Sequence, residues 1–225
     1  MSSPTAVTID VGGAIVSGLL QTPPDARACV VLAHGAGAGM RHPFMGAIAD
    51  GLEARGLACL RYQFLYMERA SKRPDAPKLA HAAVRAAVLA AHEATGLPLI
   101  AGGKSFGGRM TSQAQAEAAL PGVVGLAFLG FPLHPPGRSS IERADHLAGV
   151  AVPMLFLQGT RDEFADLTLL AGVVDRLGSG ATLKLFEDAD HSFHVPKASG
   201  RTNRDVREAL LDTLAAWIGA GGVKI

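Results

Sequence analysis

The hydrophobic residues of this chain follow one pattern before residue 28 and a different pattern after it. Before that point, Val7–Asp10 and Ile15–Leu20 are short β-prone runs on either side of Gly12 and Gly13, and paired glycines suit a tight hairpin turn. Later, apolar runs of five to eight residues alternate with longer helical stretches. Such runs are typical of strands buried on both faces of a parallel sheet. They are Ala28–Ala33, Leu57–Tyr62, Leu97–Gly102, Val123–Gly130, Val152–Gln158 and Thr182–Phe186.

The segments between these runs carry helix start and stop signals. Pro43 suits the first turn of a helix, and Gly56, Gly96 and Gly178 each follow a helical segment. The predicted helices are His42–Arg55, Lys78–Thr95, Gly108–Ala118, Asp166–Leu177 and Arg204–Ile218. The pattern predicts a three-layer α/β/α sandwich around a mostly parallel sheet of about eight strands. Residues 1–225 are expected to form one domain, in which 1–27 make the antiparallel start and 28–225 the parallel core.

Composition narrows the class of protein. Hydrophobic residues make up 48% of the chain and charged residues 18%, with a net charge of +1, so we expect a globular protein that does not bind nucleic acid. The amino terminus has neither the basic nor the apolar region of a secretory signal, and prolines and glycines interrupt the longest apolar run. We therefore expect a cytoplasmic protein without a membrane partner, as a monomer or homodimer. Cys29 and Cys59 are expected to be reduced core thiols.

A glycine-flanked serine lies between a predicted strand and a predicted helix. The segment Gly103-Lys104-Ser105-Phe106-Gly107 follows Leu97–Gly102, and G-x-S-x-G at a strand-to-helix turn presents a nucleophilic hydroxyl at the top of a sheet. A phosphate-binding loop is the competing interpretation of Gly103-Lys104-Ser105. That loop requires a glycine at the position of Pro98, which lies inside the strand, so the sequence favours the nucleophile.

A serine nucleophile requires a base and a carboxylate that orients the base. Asp162 follows Val152–Gln158, and His191 follows Thr182–Phe186, so both are expected at the same sheet edge as Ser105. The alternative is that Asp162 caps a turn and His191 is a surface histidine. Nearby rivals for the two roles are His194, Asp188, Asp190 and Glu163.

The expected site also needs donors for an oxyanion and walls for a substrate. We expect the N–H groups of Phe106 and Ala36 to be the donors, with Gly37 as the alternative to Ala36. His34 is expected to pack behind this loop, and Lys104 to be exposed or ion-paired. The residues expected to bind substrate are Gly35, Gly37, Phe64, Tyr66, Pro132 and Leu133.

We expect no metal and no cofactor. His191 and His194 with Asp188 or Asp190 could suggest zinc, but no H-E-x-x-H helix and no cysteine pair supports a metal site. His134, which lies among prolines, is expected to shape a loop.

The combination of HGAGAG, GKSFGG, QGTRD and DADHSF resembles the α/β-hydrolase superfamily. GGKSFGGRM with the segment 130–137 resembles its dienelactone-hydrolase-like branch, which includes the testis-expressed protein 30 type. Dienelactone hydrolases proper have cysteine where this chain has Ser105, so their substrate is not carried over. The resemblance implies the α/β-hydrolase fold, with Ser105 as nucleophile, Asp162 as acid and His191 as base.

Together these features predict a serine hydrolase that cleaves small carboxylic esters or thioesters through an acyl-enzyme. No long insertion suggests a large lid, so we expect a small, open pocket for short acyl groups. The alternative is a hydrolase-fold protein that serves in binding or in a complex and carries a vestigial site.

Overall fold

The computed structural model describes residues 3–219 and Val223, so both ends of the expected 1–225 domain lie outside the described residues. It begins with an antiparallel hairpin of β1 (Thr5–Val11) and β2 (Ala14–Gln21). Gly12 and Gly13 form the turn with φ angles of 62° and 91°, which glycine adopts without steric cost. The predicted antiparallel start is confirmed.

The other strands continue the hairpin into one sheet of eight strands, in the order β1-β2-β4-β3-β5-β6-β7-β8. Strands β3 to β8 pair in parallel, and β2 joins β4 in antiparallel fashion. Their bounds are β3 (Cys29–Ala33), β4 (Ala58–Tyr62), β5 (Leu99–Lys104), β6 (Val123–Leu129), β7 (Met154–Gly159) and β8 (Ala181–Phe186). This is the predicted mostly parallel sheet.

Two strands begin two residues later than the apolar runs predicted, and a proline precedes each of them. β5 begins at Leu99 after Pro98, and β7 begins at Met154 after Pro153. Proline has no N–H to donate to a sheet ladder, so each strand starts at the next residue. The two proline carbonyls still accept hydrogen bonds from the neighbouring strand segments, from Cys29 and Leu126 respectively.

The helices cover both faces of the sheet. Their bounds are α1 (Pro43–Glu53), α2 (Leu65–Glu68), α3 (Pro77–Thr95), α4 (Phe106–Glu117), α5 (Leu167–Leu177) and α6 (Asn203–Gly219). Helix α2 and the 3-10 helix Glu142–Gly149 were not predicted, because segments this short carry little hydrophobic periodicity.

The hydrophobic core is divided by the sheet into two layers. On one face, Val84 of α3, Met110 of α4 and Leu170 of α5 are buried in one cluster. On the other face, Ile48 of α1 and Leu214 of α6 are buried in a second cluster. The three-layer α/β/α arrangement is confirmed.

The strand order creates a crevice at the carboxyl edge of the sheet. β3 lies between β4 and β5, so the chain passes from β3 to β4 on one side and later forms β5 on the other side of β3. Such switch points are where open α/β sheets bind ligands. Within the described residues, no inserted lid domain covers this edge, and no helix there is long and apolar enough to span a membrane.

Candidate active site

Ser105 lies in the sharp turn between β5 and α4. Its φ and ψ angles of 50° and −117° are strained for a residue with a side chain. The flanking glycines permit this turn beside β3. A Cβ at Gly103 would lie 2.3 Å from the Ala33 carbonyl oxygen, and one at Gly107 would lie 2.6 Å from that of His34. The motif therefore requires glycine at both positions for steric reasons.

The fold brings Ser105, His191 and Asp162 into one chain of hydrogen bonds. The Ser105 hydroxyl lies 2.9 Å from His191 Nε2, and His191 Nδ1 lies 2.7 Å from Asp162 Oδ2. Because a carboxylate only accepts, Nδ1 carries the imidazole proton and Nε2 is left to accept from the serine. Each group ends or follows a different parallel strand, namely β5, β7 and β8.

Asp162 is held by contacts on both carboxylate oxygens. Its Oδ1 accepts from the Phe164 amide at 2.9 Å, and its Oδ2 also accepts from Gln158 Nε2 at 2.6 Å. Only 5% of Asp162 is exposed to solvent. Gln158 in turn accepts from the Phe131 amide at 2.9 Å, so it joins β7 to the segment after β6. Gln158 was not among the predicted site residues, although a polar residue at the end of a buried apolar run was a usable signal.

The loop that carries His191 is shaped by Asp190. Asp190 Oδ1 accepts from the amides of Ser192 and His194, which closes the loop on itself. The His194 side chain is 63% exposed and lies 4.0 Å from Asp190, rather than at Ser105. The Phe164 ring lies over the His191 ring with 4.3 Å between centroids. Of the two histidines, the structure brings only His191 to Ser105 and Asp162.

The loop after β3 lies beside the serine. The Gly37 amide donates a hydrogen bond to the Tyr66 hydroxyl at 2.8 Å. The alternative oxyanion donor is therefore already engaged. Within the described chain, the amides of Ala36 and Phe106 make no hydrogen bond. His34 is fully buried, donates from Nδ1 to the Gly35 carbonyl and accepts at Nε2 from the Phe64 amide. Its predicted position behind the loop is confirmed.

A cavity of about 420 Å³ opens above Ser105 and His191. This volume lies in the range of small-ligand sites, roughly 300–1,000 Å³. The other residues that line it are Gly35, Ala36, Ala38, His42, Phe44, Met45, Lys104, Phe164, Ser192 and His194. The side chains of Asp162 and Asp190 do not line this cavity.

Most residues expected to bind substrate lie elsewhere. Of the expected set, Gly35 lines the cavity and Gly37 does not. Phe64, Tyr66 and Leu133 are buried in the main hydrophobic cluster, and Pro132 is buried too. These four were expected on loops at the strand ends, but the chain turns inward after β4 and β6 and packs them into the core. The cavity wall is formed instead by Phe44, Met45 and Phe164.

Lys104 differs from its expected state. Its Nζ is buried, lacks a hydrogen-bond partner and forms no ion pair within 4 Å among the described residues. Burial lowers the pKa of Lys104 to about 8, and the negative charges of Asp162 and Asp190 oppose this change. The expectation of an exposed or ion-paired lysine is wrong, because the side chain folds inward beneath the site.

Three other histidines, His81, His134 and His146, make local hydrogen bonds. His134 accepts from the Asp166 amide and donates to the Pro135 carbonyl, which confirms its structural role in that loop. A wider depression of about 560 Å³ includes His81 and His146, and their rings bond to Glu117, Gln113 and Ser112. Across residues 3–219, no group of three His, Cys, Asp or Glu side chains is arranged to hold a metal.

Comparison with known proteins identifies the class. Residues 26–219 match the model of the α/β-hydrolase domain family, and the chain belongs to that family. Its fold is similar to that of a dienelactone hydrolase from Anabaena variabilis, with a TM-score of 0.76 and 22% identity over 97% of this chain and 99% of that one.

Two further solved structures share the fold. A lidless α/β serine hydrolase from Xanthomonas campestris has a TM-score of 0.75 and 22% identity, over 96% of each chain. The esterase domain of a protein from Rhodothermus marinus has a TM-score of 0.70 and 19% identity, over 96% of this chain and 98% of that one. The predicted membership of the α/β hydrolases, with a dienelactone-hydrolase-like fold, is confirmed.

Proposed function

We propose that this protein is a serine hydrolase that cleaves small carboxylic esters or thioesters. The observation that carries this proposal is the unbroken hydrogen-bond chain from the Ser105 hydroxyl through His191 to Asp162. A neutral serine is a poor nucleophile at pH 7, and this arrangement supplies the base that activates it.

In the proposed reaction, Ser105 Oγ attacks the substrate carbonyl while its proton moves to His191 Nε2. The carbonyl π electrons move to oxygen, and the amides of Ala36 and Phe106 donate to that oxyanion. Asp162 stabilises the imidazolium that forms. The carbonyl then re-forms as the bond to the leaving group breaks, and His191 donates the proton to the departing alkoxide or thiolate, which leaves an acyl group on Ser105. A water molecule, deprotonated by His191, releases the acid and restores the serine.

The cavity supports a preference for short acyl groups. Its apolar wall consists of a few side chains, chiefly Phe44, Met45 and Phe164, and its mouth carries His42 and His194. Each added methylene gains binding free energy only where apolar wall covers it. Acyl chains that pass beyond this wall reach solvent and gain little.

Labelling with a fluorophosphonate probe tests the proposal. We expect the wild-type protein to be labelled, and the Ser105→Ala variant to lose both labelling and ester turnover. A folded wild-type protein that neither reacts with the probe nor turns over activated esters would support the alternative, a binding protein with a vestigial site. Labelling that survives in Ser105→Ala would contradict the assigned nucleophile.

A further inference from the structure

The Lys104 side chain runs beneath the catalytic groups from the residue directly before Ser105. Its Cγ lies 3.5 Å from the position that a Cβ would take at Gly35, and its Nζ lies beyond, inside the protein. A buried ammonium group without a hydrogen bond raises the free energy of the folded state. A feature that costs stability beside a reactive site requires an explanation.

Three polar atoms surround one point at Gly130, just beyond β6. The ideal Cβ position at Gly130 lies 3.1 Å from Lys104 Nζ, 3.4 Å from Asp162 Oδ2 and 3.4 Å from His191 Nδ1. The ammonium therefore lies near the hydrogen bond that joins Asp162 to His191. Gly130 has a φ of 71°, which glycine adopts without steric cost. Because it has no side chain, the three polar atoms can approach its backbone closely.

The charged groups around Lys104 come from the loops after β7 and β8. Asp162 follows β7, and Asp190 and His191 follow β8; both carboxylates attract the ammonium. The ring of Phe193 faces Nζ with 5.8 Å to its centroid and carries no charge. His42 and His194 are the remaining titratable groups that line the cavity.

This placement has an electrostatic consequence for His191. A positive charge close to the imidazole opposes the arrival of a second one, so it disfavours the imidazolium and favours the neutral ring. Lys104 lines the cavity, but its Nζ is buried and presents no surface to it.

Building on the proposed hydrolase function, we propose that Lys104 is a positioning residue whose positive charge keeps His191 neutral and extends catalysis to lower pH. The charge also compensates the buried Asp162 carboxylate while His191 is neutral. Lys104 thus widens the pH range in which the base can accept the serine proton, at a cost in stability.

The first test compares pH profiles of kcat/KM for the wild type, Lys104→Met and Lys104→Arg. We expect the acid limb of Lys104→Met to move upward by about one pH unit, since the repelling charge is gone. Lys104→Arg keeps the charge and should keep the wild-type limb. Well above the lowered Lys104 pKa of about 8, the wild-type lysine is neutral, so the ratio of kcat/KM between wild type and Lys104→Met should no longer change with pH.

The control is Lys184→Met, which removes an exposed lysine from β8 and should leave the profile unchanged. A purely structural role for Lys104 predicts a uniform loss of activity with no movement of the acid limb. An acid limb that stays in place in folded Lys104→Met would overturn the proposal.

The second test needs no substrate. An NMR titration of ring nitrogens, with the His191 signal assigned from its absence in His191→Asn, reports the charge of this ring directly. We expect the His191 midpoint to lie about one pH unit higher in Lys104→Met than in the wild type, and equal midpoints would refute the role of Lys104. Failure of the hydrolase proposal would appear instead as a lack of probe labelling and turnover, with this titration difference intact.

Discussion

Gln158 Nε2 donates to Asp162 Oδ2 at 2.6 Å, to the same oxygen that His191 Nδ1 contacts at 2.7 Å. The two donors fix this carboxylate from two directions and hold it toward the imidazole. Gln158 is fully buried, and its amide oxygen Oε1 accepts a hydrogen bond from the Phe131 amide. The orientation of Asp162 therefore depends on a side chain that does not touch the serine.

We expect Gln158→Met to lower kcat/KM about tenfold, because Asp162 loses one of the two donors that orient it, and small misplacements of catalytic groups are costly. It should also lower the free energy of unfolding by about 1–3 kcal/mol, since the Phe131 amide is left unsatisfied. Steady-state kinetics and urea unfolding measure the two effects. Gln115→Met is the matched control: buried Gln115 accepts from the Leu120 amide far from the site, so only stability should fall. Wild-type kinetics in Gln158→Met would contradict the proposed role.

The strained backbone of Ser105 predicts a change in stability that is separate from chemistry. Glycine adopts φ of 50° with ψ of −117° at low cost, whereas alanine retains the Cβ strain. We expect Ser105→Gly to be about 1–2 kcal/mol more stable than Ser105→Ala, after allowance for the greater unfolded-state entropy of glycine. Thermal unfolding of the two inactive variants measures the difference. Equal stability would mean that the turn stores no strain.

The assignment of His191 and Asp162 predicts a graded series of losses. His191→Ala should reduce kcat about as much as Ser105→Ala, because the members of such a triad act as a unit. Asp162→Asn should cost less than that but more than about 10²-fold. His194→Ala should lose far less activity than either variant, since that side chain lines the cavity but contacts neither Ser105 nor Asp162. An inactive His194→Ala beside an active His191→Ala would reverse the assignment.

The size of the cavity predicts the acyl specificity. Activated phenyl esters from acetyl to butyryl should be cleaved with higher kcat/KM than esters longer than about eight carbons. The Ser105→Ala variant supplies the background rate for each ester. A steady rise in kcat/KM toward long chains would be incompatible with a wall formed by Phe44, Met45 and Phe164.

Lys104 predicts a pH-dependent stability difference. Its pKa is lowered from 10.5 to about 8 in the folded protein, so between these pH values the unfolded chain binds more protons. The contribution of Lys104 to the free energy of unfolding therefore rises with pH across that window. Below about pH 8 the folded protein bears the full cost of burying the charged ammonium. At pH 7, Lys104→Met should be about 1–3 kcal/mol more stable than wild type.

Urea unfolding at pH 7 and pH 10 measures this contribution. The gap between the Lys104→Met variant and the wild type should shrink at the higher pH. A methionine variant that is less stable than wild type at pH 7 would be inconsistent with a buried, unpaired ammonium at this position.

The sequence by itself determined the class of fold and the three residues that the structure joins. Strands buried on both faces are continuous apolar runs in the sequence, and several helices are followed by glycines. The alternation of these two local patterns was enough to predict the three-layer arrangement. Ser105, Asp162 and His191 each follow a predicted strand, and parallel strands direct their carboxyl ends to one edge. The helix bounds agree to within two residues at each predicted end.

Only the tertiary structure decided what surrounds those three residues. Whether a loop residue faces the cavity or the core depends on the path of the chain after each strand, which is why Phe64 and Tyr66 are buried and Phe44 is not. The state of Lys104 depends on Gly130 and Asp162, which are distant in sequence. Such contacts arise between segments that meet only in the folded chain, so no local pattern encodes them.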